Sequence, residues 1–359
     1  MHGGDVWQVA EEFGIPAQEI LDFSANINPL GLPQRAKERL VRDASDSRLL
    51  SYYPDPSARR LRKALSERLT VPAEAIVAGP GAEALLTPIL QCLQSRRALV
   101  PAPGFSEYRR VCEQHGTEFA PFLLDRSELF RTPVDRLSRC IQAERSDLVF
   151  LNNPHNPTGA LLEAHEVRRV QETANAHGAT LLLDEAFIDY VPLASLARDA
   201  AAGPGLVVLR SLTKFYGCPA LRVGYAIAHP ETIRRISSFL PTWPVTQLAI
   251  DALADAVADR EFGEASLRAN LEAREALVES LSALGMFVFP SAANYVFIEL
   301  PADMPVASKL RLNLIERHRI LIRNCDSYEG LESGRYVRVA VRSLEENRHL
   351  IRAMAAERS

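Results

Sequence analysis

From about residue 57 to residue 240, short runs of apolar and β-branched residues alternate with amphipathic stretches. "AIVAG", "RALVPA", "DLVFLNN", "ATLLLDEA", "GLVVLRS" and "RVGYAIA" have the length and bulk of strands. Between them "EVRRVQETANAHG" puts Val167, Val170 and Ala174 on one helical face, with Gly178 as its stop. This alternation predicts an α/β domain built on a mostly parallel sheet. Pro241 and Pro244 punctuate its end. Beyond them Leu248, Ala252, Leu253, Ala256 and Val257 recur at helical spacing, predicting a helix that links two domains. "MFVFPSAANYVFIEL", "RILIRNC" and "RYVRVAVRS" then read as strands, with helices expected near 305–318 and 344–357, a smaller α+β domain. The opening segment with "ILDFSANINPLGLP" is rich in turn formers and lacks a core pattern, so it is expected to drape over a site or a neighbouring subunit. The expected division is an N-terminal arm and small-domain segment over 1–45, a large domain over 46–245 and a small C-terminal domain over 246–359.

Composition narrows the partners. A 47% hydrophobic and 24% charged chain is ordinary globular protein. Its 41 basic side chains against 45 acidic ones, with no basic block, exclude nucleic acid and membrane surfaces as expected partners. Cys92, Cys112, Cys140, Cys218 and Cys325 are odd in number and form no CxxC pair, which points to idle thiols in a reducing compartment. The N-terminus has no signal-peptide pattern and no apolar run is long enough to span a bilayer, so a cytoplasmic location is expected. His165 and Glu166 lack a second histidine at metal spacing, and no metal is predicted.

"LVVLRSLTKFYGCPALRVGY" sets Lys214 within an apolar run. A lysine at a strand end is ordinarily a solvated edge charge, but its company differs. Ser211 lies three residues before it and Arg222 eight after it. "LLLDEA" places Asp184 at the tip of another strand, and "NNPHNPTG" places Asn156 just past a third. In an open parallel sheet such strand ends converge on one crevice. An amine, a carboxylate, an amide and an anion-binding Ser/Arg pair are what pyridoxal phosphate requires. The amine holds its aldehyde, the carboxylate pairs with the ring nitrogen, the amide bonds the ring hydroxyl oxygen. "GPGAEALL" adds backbone N–H groups at Gly81 and Ala82 for the phosphate. The same stretch matches a GxGxxA dinucleotide fingerprint, but "RALVPAPGF" offers no acidic residue where that reading needs one. Glu185 adjoins Asp184 yet faces the opposite way along a strand, so the two do not form an acid/base pair.

"NNPHNPTG", "LLLDEAFIDY" and "SLTKFYGCPALRVGY", in this order, resemble the motifs of fold-type I pyridoxal phosphate-dependent transferases, in the branch that contains histidinol-phosphate aminotransferases. The resemblance spans nearly the whole chain. "HGGDVWQVAEEFGIPAQEILDFSANINPLGLP", "SLTKFYG" and "RILIRNCDSYEGL" with "RYVRVAVRS" are similar to the cobalamin-pathway L-threonine-O-3-phosphate decarboxylases, whose opening His-Gly-Gly the aminotransferases usually lack. This resemblance implies a homodimeric carbon–carbon lyase. The reaction it implies is conversion of L-threonine O-3-phosphate to (R)-1-amino-2-propanol O-2-phosphate. It further implies that Lys214 holds the cofactor, Asp184 its ring nitrogen and Asn156 its ring hydroxyl. By the same resemblance Phe105 would stack on the ring, while Ser211, Arg222, Gly81 and Ala82 would take the phosphate, with Tyr53 reaching in from a second subunit. His2, Asn26, Arg323 and Arg338 are implied on the substrate side. Pro80 and His155 depart from the usual asparagines of the family motifs, and Phe187 stands where the aminotransferases commonly carry tyrosine.

Orientation decides which Cα bond breaks, since only the bond held perpendicular to the ring overlaps its π system. A phosphate dianion gripped by Arg323, Arg338, His2 and Asn26 would turn the substrate carboxylate out toward that position. Read without the family, Arg323 and Arg338 are more readily solvated faces or carboxylate partners than substrate ligands, and Phe105 and Tyr108 are as readily core aromatics as ring-stacking ones. A histidinol-phosphate-type aminotransferase and a catalytically silent cofactor-binding protein remain the competing readings, and serine phosphate remains open as a substrate.

Overall fold

The computed structural model describes residues 3–358. A seven-stranded sheet forms its larger half: β1 (Ile76–Gly79), β2 (Arg97–Ala102), β3 (Glu118–Leu123), β4 (Leu148–Asn152), β5 (Thr180–Asp184), β6 (Leu206–Ser211) and β7 (Gly224–Ile227). Their order is β1-β7-β6-β5-β4-β2-β3, with β7 antiparallel to both neighbours and every other pairing parallel. The sheet is covered on both faces, so β4, β6 and β7 are buried at every position. Alternate residues divide between two layers. Leu181, Leu183 and Val149 pack toward the helices Arg59–Leu69, Val134–Glu144 and Ala164–Ala176. Leu182, Phe150 and Leu209 pack toward Ala82–Leu93, Ser106–Gln114 and Pro230–Ser237.

The sequence pattern predicts six of these strands but not β3. Its residues alternate in burial at the sheet edge, and Pro121 interrupts the run, as edge strands tolerate. The helix predicted from Val167, Val170 and Ala174 forms over Ala164–Ala176, opened by a Glu163/Glu166 capping box, with these three residues buried.

A smaller core lies against a four-stranded antiparallel sheet of β8 (Phe287–Val288), β9 (Tyr295–Glu299), β10 (Arg323–Asn324) and β11 (Tyr336–Ala340), ordered β10-β11-β9-β8. Val296, Ile298, Val337 and Val339 pack there against Leu277, Leu310, Leu314 and Leu350 of three helices. "RILIRNC" divides between two sheets: Arg323–Asn324 joins this one, while Ile320–Leu321 pairs in parallel with Leu21–Asp22 of the N-terminal segment.

The arm is more structured than its turn-rich composition predicts. Val6–Phe13 is a helix whose Val9 packs on Ile315 and Leu321 of the smaller core. Eight residues with one buried position carry too little periodicity to be seen in advance. Gln34–Ala44 packs instead on the larger half, against the helix Gln247–Ala258. That helix, expected as a link within 246–359, is buried in the larger core through Ala249, Ile250, Leu253 and Val257. Arg39 and Arg60 bind its Asp251 and Asp255. The crossing to the smaller core is made by the next helix, Arg260–Ala283.

Candidate active site

Sheet register brings the chemistry to one edge. Asn152 pairs with Asp184 at the carboxyl ends of β4 and β5, while Gly79 and Ser211 both pair with Gly224 at the ends of β1 and β6. A cavity of about 540 Å³ opens there, between the larger sheet and the smaller core. Ligands bind at this position in open α/β sheets for the same topological reason.

Lys214 lies just past β6, on the short helix Leu212–Phe215, and lines the cavity. Burial first, then the guanidinium charges of Arg338 and Arg222, pull its amine down to about 8, against the opposing attraction of Asp184 and Asp22. The amine has no salt bridge among the described residues, so a neutral nucleophile is accessible near neutral pH. Asp184 is buried and raised in proton affinity chiefly by that burial. Its Oδ1 accepts from the Ala186 N–H at 2.9 Å, and its Oδ2 accepts from the Tyr108 hydroxyl at 2.6 Å. Glu185 faces the other way, as strand alternation requires, with Arg210 Nε at 3.6 Å and the Ser195 hydroxyl at 2.7 Å.

Asn156 is fixed from two sides. Asn152 Oδ1 accepts its backbone N–H at 2.6 Å, and Asn152 Nδ2 donates to the Asp184 carbonyl at 2.9 Å. Arg338 Nη1 donates to Asn156 Oδ1 at 2.5 Å. The Asn156 Nδ2 donor then has no protein partner among the described residues and belongs to a cavity-lining side chain.

The anion cradle forms where the helix Ala82–Leu93 begins. Gly81 is its N-cap, no side chain caps it, and Gly81, Ala82 and Glu83 line the cavity. Gly81 sits at φ 111°, a conformation side chains avoid, and a Cβ there would come within 3.0 Å of Arg222 Nη2. Gly224 is equally constrained, since its Cβ would lie 2.2 Å from the Ala82 nitrogen. Ser211 and Arg222 complete the cradle, with the Ser211 hydroxyl 2.8 Å from that of Thr213. Free N–H groups at a helix start beside a guanidinium and hydroxyls make a phosphate site. Phe105 lines the same cavity, its ring edge-on to Tyr108 at 5.5 Å.

The opposite wall carries Asn26, Arg323 and Arg338. Arg323 and Arg338 are directly paired across β10 and β11, so both side chains leave the same face of the sheet. Arg338 Nη2 donates to the Ser24 carbonyl at 2.7 Å, and Arg323 donates to the Ser327 hydroxyl at 3.0 Å. One described candidate is not in this cavity. Tyr53 is 77% exposed on the larger half, stacked on Trp243 at 4.2 Å. His2 lies outside the described residues, although Gly3, its neighbour, lines the cavity.

Several site residues escape the sequence reading. Asn152 sits inside "NNPHNPTG" and its role was available from that motif. Tyr108 follows Phe105 at helical spacing, and only the fold reveals that its hydroxyl meets Asp184. Ser24 and Asp22 organise the arm: Asp22 Oδ1 accepts from the Ser24 N–H and hydroxyl at 2.7 and 2.6 Å, and Ser24 Oγ accepts from the Gly4 N–H at 2.8 Å. Asn28 ties the arm to the Lys214 turn by donating to the Phe215 carbonyl at 2.8 Å. Tyr328 lines the cavity beside Arg323, whose guanidinium lies 5.3 Å from its ring centroid.

These groups fit pyridoxal phosphate: an accessible low-proton-affinity amine, a buried carboxylate, an unpaired amide donor and an anion cradle share one cavity. Residues 18–354 match the family described as aminotransferase class I and II. The chain is 35% identical to threonine-phosphate decarboxylase from Salmonella typhimurium, over 98% of this chain and 95% of that protein. Among solved structures, histidinol-phosphate aminotransferase from Clostridium acetobutylicum superposes with a TM-score of 0.85 at 28% identity, covering 94% of this chain and 98% of that one. L-threonine-O-3-phosphate decarboxylase from Porphyromonas gingivalis superposes with a TM-score of 0.79 at 26% identity, covering 94% of this chain and 99% of that one.

Proposed function

We infer the function from what this chain is: it belongs to the aminotransferase class I and II family. It is a pyridoxal phosphate-dependent decarboxylase that converts L-threonine O-3-phosphate to (R)-1-amino-2-propanol O-2-phosphate, a step of cobalamin biosynthesis. The observation that carries this reading is the pairing of Arg323 with Arg338 across β10 and β11 on the wall facing Lys214. Like charges directly opposite on a sheet repel, and a phosphate dianion between them removes that cost. The similarity to the Salmonella enzyme supports the same substrate.

When bound, pyridoxal phosphate supplies an electron sink for the pair left at Cα as carbon dioxide departs. The chain's own groups do the rest. Lys214 would hold the cofactor through its aldehyde, with Asp184 for its ring nitrogen and Asn156 Nδ2 for its ring oxygen. Ser211, Arg222 and the amides of Gly81 and Ala82 would hold its phosphate, and Phe105 would cover its ring. In the homodimer this family builds, Tyr53 reaches the partner's cradle. Arg323, Arg338, Asn26 and His2 take the substrate phosphate, which turns the substrate carboxylate away from Arg338 and toward the perpendicular. Lys214, which lines the cavity, would be the amine that returns a proton to Cα.

The structural likeness to histidinol-phosphate aminotransferases keeps transamination as the second reading. Carbon dioxide released from threonine phosphate with no 2-oxo acid present, together with the amino alcohol phosphate, supports decarboxylation. Turnover that requires 2-oxoglutarate would overturn it.

A further inference from the structure

We propose that Tyr108 is a positioning residue for Asp184: by donating its hydroxyl proton to the carboxylate, it keeps Asp184 ionised and thereby keeps the proton on the ring nitrogen of bound cofactor. This rests on the reading that Asp184 faces that nitrogen.

The geometry is specific. Asp184 presents two oxygens, and each has one donor from the protein: the Ala186 N–H on Oδ1 at 2.9 Å and the Tyr108 hydroxyl on Oδ2 at 2.6 Å. A short O–H···O⁻ bond of this kind is charge-assisted and among the strong ones. The ring of Tyr108 is 3% exposed, held edge-on by Phe105 at 5.5 Å and tilted against Phe150 at 4.8 Å. The hydroxyl therefore has one direction to point. The first turn of the helix Ser106–Gln114 thus aims the carboxylate's donor, while Phe105, its N-cap, supplies the ring that lines the cavity.

The charge balance shows why a donor is needed. Burial works against an ionised Asp184, and the Tyr108 hydroxyl, the Ala186 N–H and the Lys214 charge oppose it. The other titratable group near Asp184 is Tyr295 of β9, whose own hydroxyl donates to the His155 carbonyl at 2.8 Å instead. Once Lys214 is joined to the cofactor its free ammonium no longer helps. Tyr108 then remains the one side-chain donor to the carboxylate among the described residues. Burial and the adjacent carboxylate push the Tyr108 phenol well above its usual range, so it stays a donor throughout the working pH range. A carboxylate without that donor is more basic and draws the proton off the ring nitrogen, which weakens the electron sink.

The test loads the full-length protein and its Tyr108→Phe variant with cofactor labelled with ¹⁵N at the ring nitrogen. The ¹⁵N shift of the substrate-free holoenzyme is then followed against pH. The unaltered protein is expected to show a protonated ring nitrogen, and Tyr108→Phe a shift displaced toward the unprotonated value. Its cofactor dissociation constant should rise about 10-fold, the scale of one hydrogen bond to a charged group. kcat should fall with the substrate KM unchanged. Tyr295→Phe removes an equally buried phenol and is expected to leave the ¹⁵N shift in place. An unmoved shift in Tyr108→Phe, or an equal displacement in Tyr295→Phe, overturns the proposal. If the unaltered protein binds no cofactor, or binds it with an unprotonated ring nitrogen, the assignment of Asp184 fails first. Should Tyr108→Phe not fold, 3-fluorotyrosine at 108 keeps the ring and strengthens the donor. The cofactor is then expected to bind more tightly, and unchanged or weaker binding overturns the proposal.

Discussion

The cavity wall that carries Asp184, Asn156, Lys214 and Ser211 rises from the ends of three neighbouring strands in one sheet, whereas the wall that carries Asn26, Arg323 and Arg338 is assembled from segments far apart in the chain. Their polar groups are satisfied differently. On the first wall both oxygens of Asp184 and both polar atoms of Asn152 are engaged by the protein. On the second, Asn26 Oδ1 and Arg338 Nε are buried without a hydrogen-bond partner among the described residues. A wall whose carboxylate is held by the protein, with the Asn156 Nδ2 donor and the Lys214 amine left for a ligand, suits a resident group that stays through every turnover. A wall with uncompensated buried polar atoms suits a ligand that comes and goes, because binding then supplies the missing bonds.

Breaking the first wall should have the largest effect. Lys214→Ala is expected to lower turnover of threonine phosphate by about 10³-fold or more, with no borohydride-trapped cofactor at that position by mass spectrometry. Retained turnover would dissolve the distinction between the walls. The second wall is broken by Arg338→Ala, which would leave a phosphate dianion facing one guanidinium, that of Arg323, in place of two. An expected loss of about 10²- to 10³-fold in kcat/KM follows from removing one partner of a buried charge pair. Bound cofactor absorbance should persist, although Arg338 also donates to Asn156 Oδ1. Equal loss of cofactor and substrate binding would mean that the walls act as one.

The depressed Lys214 gives a pH test of the first wall in the cofactor-free protein. Its amine titrates at about 8 in the fold against the ordinary 10.5, so between these values the unfolded chain holds more protons than the folded one. Stability therefore rises as pH climbs through that window. At pH 7 the cofactor-free Lys214→Met variant should be the more stable by up to about 3 kcal/mol, an advantage lost as pH approaches the upper value. Chemical denaturation at a series of pH values measures both. The smallest effect is expected from Ser24→Ala, which removes the acceptor of the Gly4 N–H and loosens the arm over the second wall. One net hydrogen bond of about 1 kcal/mol corresponds to a several-fold rise in substrate KM, with cofactor affinity unchanged.

Legibility in the sequence follows the same division. Lys214, Asp184, Asn156, Ser211, Arg222 and the Gly81–Ala82 turn stand at strand ends, and a parallel sheet brings strand ends together whatever its side chains do. Once alternation gave the strands, their convergence could be expected, and all six line the cavity. β3 was hidden by Pro121 and by its edge position, where the burial pattern weakens. The helix Gln247–Ala258 shows the limit of periodicity: its apolar face was visible, but not that the face belongs to the larger core rather than to a link between domains. Nothing local distinguishes Tyr108 from a core aromatic, nor Ser24 from a turn former.

By itself the chain determined which residue types stand at which strand ends, because strand and helix periods are short-range and a single segment carries them. The tertiary structure alone decided that Arg338 lies opposite Arg323, that the Tyr108 hydroxyl reaches Asp184 and that Asn28 binds the Lys214 turn. Those contacts join segments distant in sequence, and their register is set by the packing of whole cores against one another, a long-range balance that no short stretch of residues encodes.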